Sequence, residues 1–288
     1  AGDGYNAIRM RDRRPRLSPL SLVFAIATAV AASVPVALAA APAGEVVWVD
    51  LLTEDAEAAV AFYTGLFDWT VEDSPTGSKL VIHQGRPIAG ISEIEDRLSD
   101  VDESIWLVGV AVPDLDGAVD TARDRGAEVH REISRVEGYA RYAVIEGPRG
   151  ALLLLLDPER ELGGTDGAGS FVWAELWTDD SEASGTFYSE VIGYERGETE
   201  RPRGTYTVFS SAGEPRAGMV EFDSDTIEPA WATYIGVADL AATVARTREL
   251  GGRVLLEPYE ELAEGRVALL SDPTGGGFFI YELEEDDR

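Results

Sequence analysis

Two carboxylates occur in the same setting far apart in the chain: Asp50 within Trp48-Val49-Asp50-Leu51, and Glu175 within Trp173-Ala174-Glu175-Leu176-Trp177. An acid with indole rings at alternate positions suits a flat or cationic organic ligand, held by stacking and cation–π attraction. If the indoles exclude water, the same acid gains proton affinity and could in principle serve as a general base. No partner acid or oxyanion donor accompanies either carboxylate. The two histidines, His83 and His130, do not recur in this way, and Leu255 stands where His130 would return. A lone strand histidine is most simply a surface or hydrogen-bonded residue. No Ser-His-Asp set is suggested, and Gly275-Gly276-Gly277 lacks the spacing and the lysine of a phosphate loop. With no cysteine, disulfides, thiolate nucleophiles and thiolate metal sites are excluded.

The elements that position these residues follow from an internal repeat. Trp48 returns as Trp173, Thr53 as Thr178, Phe62-Tyr63 as Phe187-Tyr188, Trp106 as Trp231, Asp114 as Asp239 and Gly150 as Gly275, every pair 125 residues apart. The middle hairpin drifts, with Ala89-Gly90 matching Ala217-Gly218. Each copy has two halves, each reading as a strand, a helix and three short strands. In the first copy the helices are expected over 55–66 and 115–125, the second introduced by Asp114 and stopped by Gly126. Helix 240–250, after Asp239 and before Gly251-Gly252, is the clearest case in the second copy. The expected fold is α+β: four βαβββ units forming two cup-shaped modules with mixed sheets. The modules are expected over 44–160 and 169–288, joined by a Gly-rich linker over 161–168. Alternate strand residues face opposite sides. Val47, Val49 and Leu51 suit a helix, leaving Trp48, Asp50 and Leu52 on the cup side, with Trp173, Glu175 and Trp177 matching them.

The run Asp55 to Tyr63 with its Ala-Phe-Tyr, the Asp114-Leu115-Asp116 helix start, and Asp272-Pro273-Thr274-Gly275 before a final apolar strand resemble the vicinal-oxygen-chelate superfamily. That superfamily includes glyoxalase I, extradiol dioxygenases and bleomycin-binding proteins, and the resemblance covers about residues 44–283. It implies a cup whose floor holds a divalent metal on His or Glu ligands, acting as a Lewis acid on adjacent substrate oxygens. Carried over by position, the opening-strand ligands fall on Trp48, Leu107, Trp173 and Ala232, and the closing-strand glutamates on Leu154 and Phe279. None of these six can ligate a metal, so no metal or other cofactor is expected. The leading expectation is a metal-free binder of a small aromatic or cationic molecule, with Trp48, Asp50, Trp173, Glu175, Trp177, Tyr234 and Phe279 lining the cups. One alternative is a divalent-metal lyase, isomerase or dioxygenase using Asp50, Glu175 or His83. Another is an interaction protein whose cups are filled.

A net charge of -29 excludes nucleic acid as a partner and suits a solvated surface in salty surroundings. Arg11, Arg13, Arg14 and Arg16, the apolar stretch 17–41 and Ala37-Leu38-Ala39 read as a secretory signal, with an uncleaved anchor as the alternative. Export, no stable membrane insertion after cleavage, and a monomer or homodimer are therefore expected. Residues 1–9 read as an upstream extension, and the acidic tail 284–287 as a solvated terminus.

Overall fold

A computed structural model describes residues 41–74, 77–94, 104–201, 204–222, 228–260 and 262–284. The expected signal, upstream extension and most of the acidic tail lie outside these residues. Among the described residues no helix is long and apolar enough to cross a membrane.

The first βαβββ unit comprises β1 (Val46–Thr53), α1 (Ala56–Leu66), β2 (Thr70–Asp73), β3 (Lys79–His83) and β4 (Arg86–Glu93). The second comprises β5 (Ile105–Ala111), α2 (Leu115–Asp124), β6 (Glu128–Val136), β7 (Ala140–Glu146) and β8 (Leu152–Pro158). The third runs β9 (Phe171–Thr178), α3 (Ser181–Ile192), β10 (Glu195–Arg201), β11 (Gly204–Ser211) and β12 (Glu214–Glu221). The fourth runs β13 (Ala230–Val237), α4 (Leu240–Glu249), β14 (Arg253–Leu256), β15 (Val267–Ser271) and β16 (Gly277–Glu282). Each helix starts at an aspartate whose carboxylate accepts the backbone N–H three residues on: Asp55 from Ala58, Asp114 from Gly117, Asp180 from Ala183 and Asp239 from Ala242. Such a cap satisfies one of the orphan donors of a first turn and contributes about 1 kcal/mol.

Each module is one eight-stranded mixed sheet, ordered β2-β3-β4-β1-β5-β8-β7-β6 and β10-β11-β12-β9-β13-β16-β15-β14. The opening strands of the two halves, β1 with β5 and β9 with β13, run antiparallel at the centre. Each opening strand also pairs in parallel with the last strand of its own half.

The helix-side cores cross the module boundary. Phe62 and Tyr63 of α1, with Val49 and Leu51, pack against Ile235, Val244, Phe278 and Ile280 of the second module. Leu115 and Val119 of α2, with Leu153 and Leu155, pack against Phe187, Tyr188, Phe209 and Met219. A polar tie reinforces the first of these: Trp106 Nε1 donates to the Tyr63 hydroxyl (3.0 Å), which donates to buried Asp272 (2.9 Å). Burial and the adjacent Asp272 charge hold the Tyr63 hydroxyl well above its ordinary pKa.

Two local features depart from simple alternation. The pairing of β1 with β5 slips between Val46 and Trp48, and that of β13 with β9 slips opposite Val172. Each slip is a β-bulge, which turns two successive residues to one side. Val47 therefore joins the cup-side cluster, not the helix side expected from strict alternation, and Val172 does the same in its module. The Gly-rich linker is held along the first sheet. Gly163 N–H donates to Pro87 O (2.9 Å), and Arg86 and Gln84 donate to the carbonyls of Gly164 and Asp166. At Gly163, φ is +58° and a Cβ would lie 2.8 Å from the Val47 carbonyl oxygen, so no larger residue fits.

Candidate functional site

The cup of the second module is built from rings. Trp173, Trp177, Tyr234 and Phe279 gather in one cluster on the face of the sheet away from the helices. Tyr234 and Phe279 face each other across the parallel pairing of β13 with β16, stacked at 4.5 Å and 9°. Glu175 is buried among them, and its Oε1 accepts from both Trp177 Nε1 (3.0 Å) and the Tyr234 hydroxyl (3.0 Å). Trp173 and Trp177 keep half-exposed faces. Tyr206, which the sequence reading missed, completes the wall: its hydroxyl accepts from Trp173 Nε1 (3.0 Å). That hydroxyl lies over Gly218, where a Cβ would come within 1.8 Å of it. The glycine is thus the notch that admits the tyrosine, and the Ala217-Gly218 repeat was the sequence signal for it.

The cup of the first module uses the same positions with different chemistry. Where the second has Trp177, Tyr234 and Phe279, the first has Leu52, Gly109 and Leu154. Its fully buried lining is aliphatic, with Val47, Leu107, Ala111, Val144, Leu154 and Leu156, and Trp48, Tyr139 and Tyr142 pack partly buried against it. Leu162 of the linker is buried in the same cluster. Asp50 is its acid. The carboxylate occupies the notch over Gly90, where a Cβ would stand 2.0 Å from Oδ1. The residue is half-buried. Desolvation pushes its pKa up to about 6, against the opposing pull of a hydrogen bond from Trp48.

Of the seven residues expected to line the cups, Trp48 and Asp50 lie in the first module and Trp173, Glu175, Trp177, Tyr234 and Phe279 in the second. His83 belongs to neither. Two residues after Val81 on β3, it shares that residue's helix-side face and lies against Gly169, near Trp69. His130 is exposed and hydrogen-bonded to Glu146 (2.7 Å). Asp50, Glu175 and His83 are therefore not brought together. All six positions carried over as metal ligands do line the cups, but as Trp48, Leu107, Leu154, Trp173, Ala232 and Phe279. Among the described residues no three His, Cys, Asp or Glu side chains cluster as a metal site would require. The donor set of neither cup fits the family's divalent ion.

Four βαβββ units paired into two cups define the vicinal-oxygen-chelate class of fold. The model of the Glyoxalase/Bleomycin resistance protein/Dioxygenase superfamily matches residues 45–155, and that of the Glyoxalase-like domain matches 173–281. The chain belongs to this glyoxalase/bleomycin resistance/dioxygenase superfamily. It is 31% identical over 243 residues to the glyoxylase-named protein CFP32 of Mycobacterium tuberculosis, covering 82% of this chain and 93% of that one. It is 32% identical over 264 residues to the anthracycline biosynthesis protein DnrV of Streptomyces peucetius, covering 84% and 94%. Among solved structures it is similar to the 2,3-dioxygenase LapB of a Pseudomonas species, with TM-score 0.63, 12% identity and 87% and 97% of the two chains covered. A Mn(II)-bound glyoxalase from Novosphingobium aromaticivorans is also similar, with TM-score 0.58, 13% identity and coverage of 85% and 83%. At such identities these structures speak for the fold alone.

Proposed function

We propose that the chain binds a small, flat aromatic or cationic molecule in the cup of the second module, without a metal. The observation that carries this reading is the pair of half-exposed indoles, Trp173 and Trp177, set around buried Glu175. Rings offer stacking area at little conformational cost, and one desolvated carboxylate favours a ligand with a single positive group. The two-module relative named for anthracycline biosynthesis supports a polycyclic aromatic ligand class. For the first module, buried Leu162 favours a filled cup that serves the fold. We also propose export, which rests on the basic and apolar N-terminal pattern.

Thermal unfolding with a panel of aromatic compounds, an amine-bearing anthracycline among them, tests the binding proposal. Saturable stabilisation by the anthracycline is expected, reduced in Trp177→Phe and in Glu175→Gln. No stabilisation by any member of the panel would overturn the binding reading and favour filled cups in both modules.

A further inference from the structure

Outside both cups lies a cleft of about 990 Å3, bordered by the linker and by the openings of β1 and β9. Among the described residues two side chains in its wall carry buried nitrogens without a partner. His83 is only 6% exposed, yet neither of its ring nitrogens has a hydrogen-bond partner among the described residues. Arg216 also lines the cleft, its Nε is buried without a partner, and no ion pair engages its guanidinium among the described residues. Both facts call for an explanation, because an unpaired buried polar group costs about 1–3 kcal/mol. In a chain with 53 acidic residues, a half-buried arginine without a carboxylate partner is conspicuous.

We infer that this cleft is a second binding site, which takes a small monocarboxylate with a flat apolar body through Arg216, beside His83. A guanidinium presents a donor fork that matches a carboxylate, and the His83 ring borders the same space, close enough to report what occupies it. Phe171, Val172 and Leu283 provide apolar wall for the body of the ligand. Glu45, Asp68 and Asp166 border the same space. Their charges oppose any anion, so the pairing with Arg216 has to outweigh them, and they oppose a dianion such as phosphate more strongly than a monoanion. Val172 and Trp173 line this cleft and also belong to the cluster of the neighbouring cup, so the site is told apart by His83 and Arg216, which are not in that cluster.

With two histidines in the chain, imidazole proton–nitrogen NMR of the intact protein reads the site directly, His130 serving as internal reference. Benzoate is the probe, with benzamide and inorganic phosphate as controls. Benzoate is expected to shift the His83 resonances saturably and leave those of His130 unmoved. Arg216→Gln should weaken the apparent affinity about tenfold, the loss expected for a charge-assisted pair, and Arg216→Lys should fall between. An unmoved His83, an equal response to benzamide or phosphate, or unchanged affinity in Arg216→Gln would each overturn the site. Any of these outcomes leaves the reading of the aromatic cup standing.

Discussion

The two cups share a backbone and differ in what fills it. In the second module the positions of Trp177, Tyr234 and Phe279 are ring-bearing, and the acid among them, Glu175, is held by two neutral donors. In the first, Leu52, Gly109 and Leu154 stand at those positions, and Asp50 keeps a desolvated carboxylate over Gly90. One duplication has thus given an aromatic, hydrogen-bonded cup and one with an aliphatic buried lining that includes Leu162. The difference teaches that sheet topology fixes where a cup lies, while a few inward positions decide whether it is a surface for a ligand or part of the core.

The largest expected effect comes from truncating the matched pair on the closing strands. Phe279→Ala removes half of a stacked pair and should cost about 3–4 kcal/mol, whereas Leu154→Ala, among small aliphatic neighbours able to close in, should cost about 2–3 kcal/mol. Urea unfolding of both variants checks this, and equal losses would break the distinction between a ring-built and an aliphatic cup.

The next effect has the opposite sign. The folded pKa of Asp50 is raised from 3.8 to about 6, so folding binds its proton more tightly than the unfolded chain does. The resulting penalty is complete above about pH 6, shrinks as pH falls through the folded pKa, and is gone below the unfolded value. Asp50→Asn should therefore stabilise the protein by about 2 kcal/mol at neutral pH, with the advantage vanishing toward pH 4. Unfolding of wild type and variant in parallel across that range reads it. A pH-independent difference would show that Asp50 is not desolvated.

The smallest effect sharpens the account of Glu175. Tyr234→Phe leaves Oε1 with the Trp177 donor alone and should cost about 1–1.5 kcal/mol. The first module has no counterpart to test, because Gly109 occupies that place. A variant as stable as wild type would mean that the hydroxyl contributes only through its ring.

Much of this was legible in the sequence. The 125-residue repeat gave both modules, and the four aspartates gave the helix starts, because a cap needs one side chain at one position. Strand parity placed Trp48, Asp50, Trp173, Glu175 and Trp177 in the cups, since alternation is a local property. What escaped depends on contacts between segments. The bulges at Val47 and Val172 are set by pairing with the neighbouring strand. The burial of Leu162 requires knowing where the linker runs, and Tyr206 meets Trp173 only across β12. The distance of His83 from the cups follows from its strand parity, but its unpaired nitrogens do not.

The crossing of the helix-side cores bears on how the chain comes into being. During synthesis the first module emerges with Val49, Leu51, Leu153 and Leu155 facing partners that have not yet been made. The face of Leu153 and Leu155 stays open until α3, β11 and β12 have been made, and that of Val49 and Leu51 until β16 has left the ribosome, and both invite association with other nascent chains. A single module holds only half of each helix-side core, and the tandem chain supplies the other half covalently.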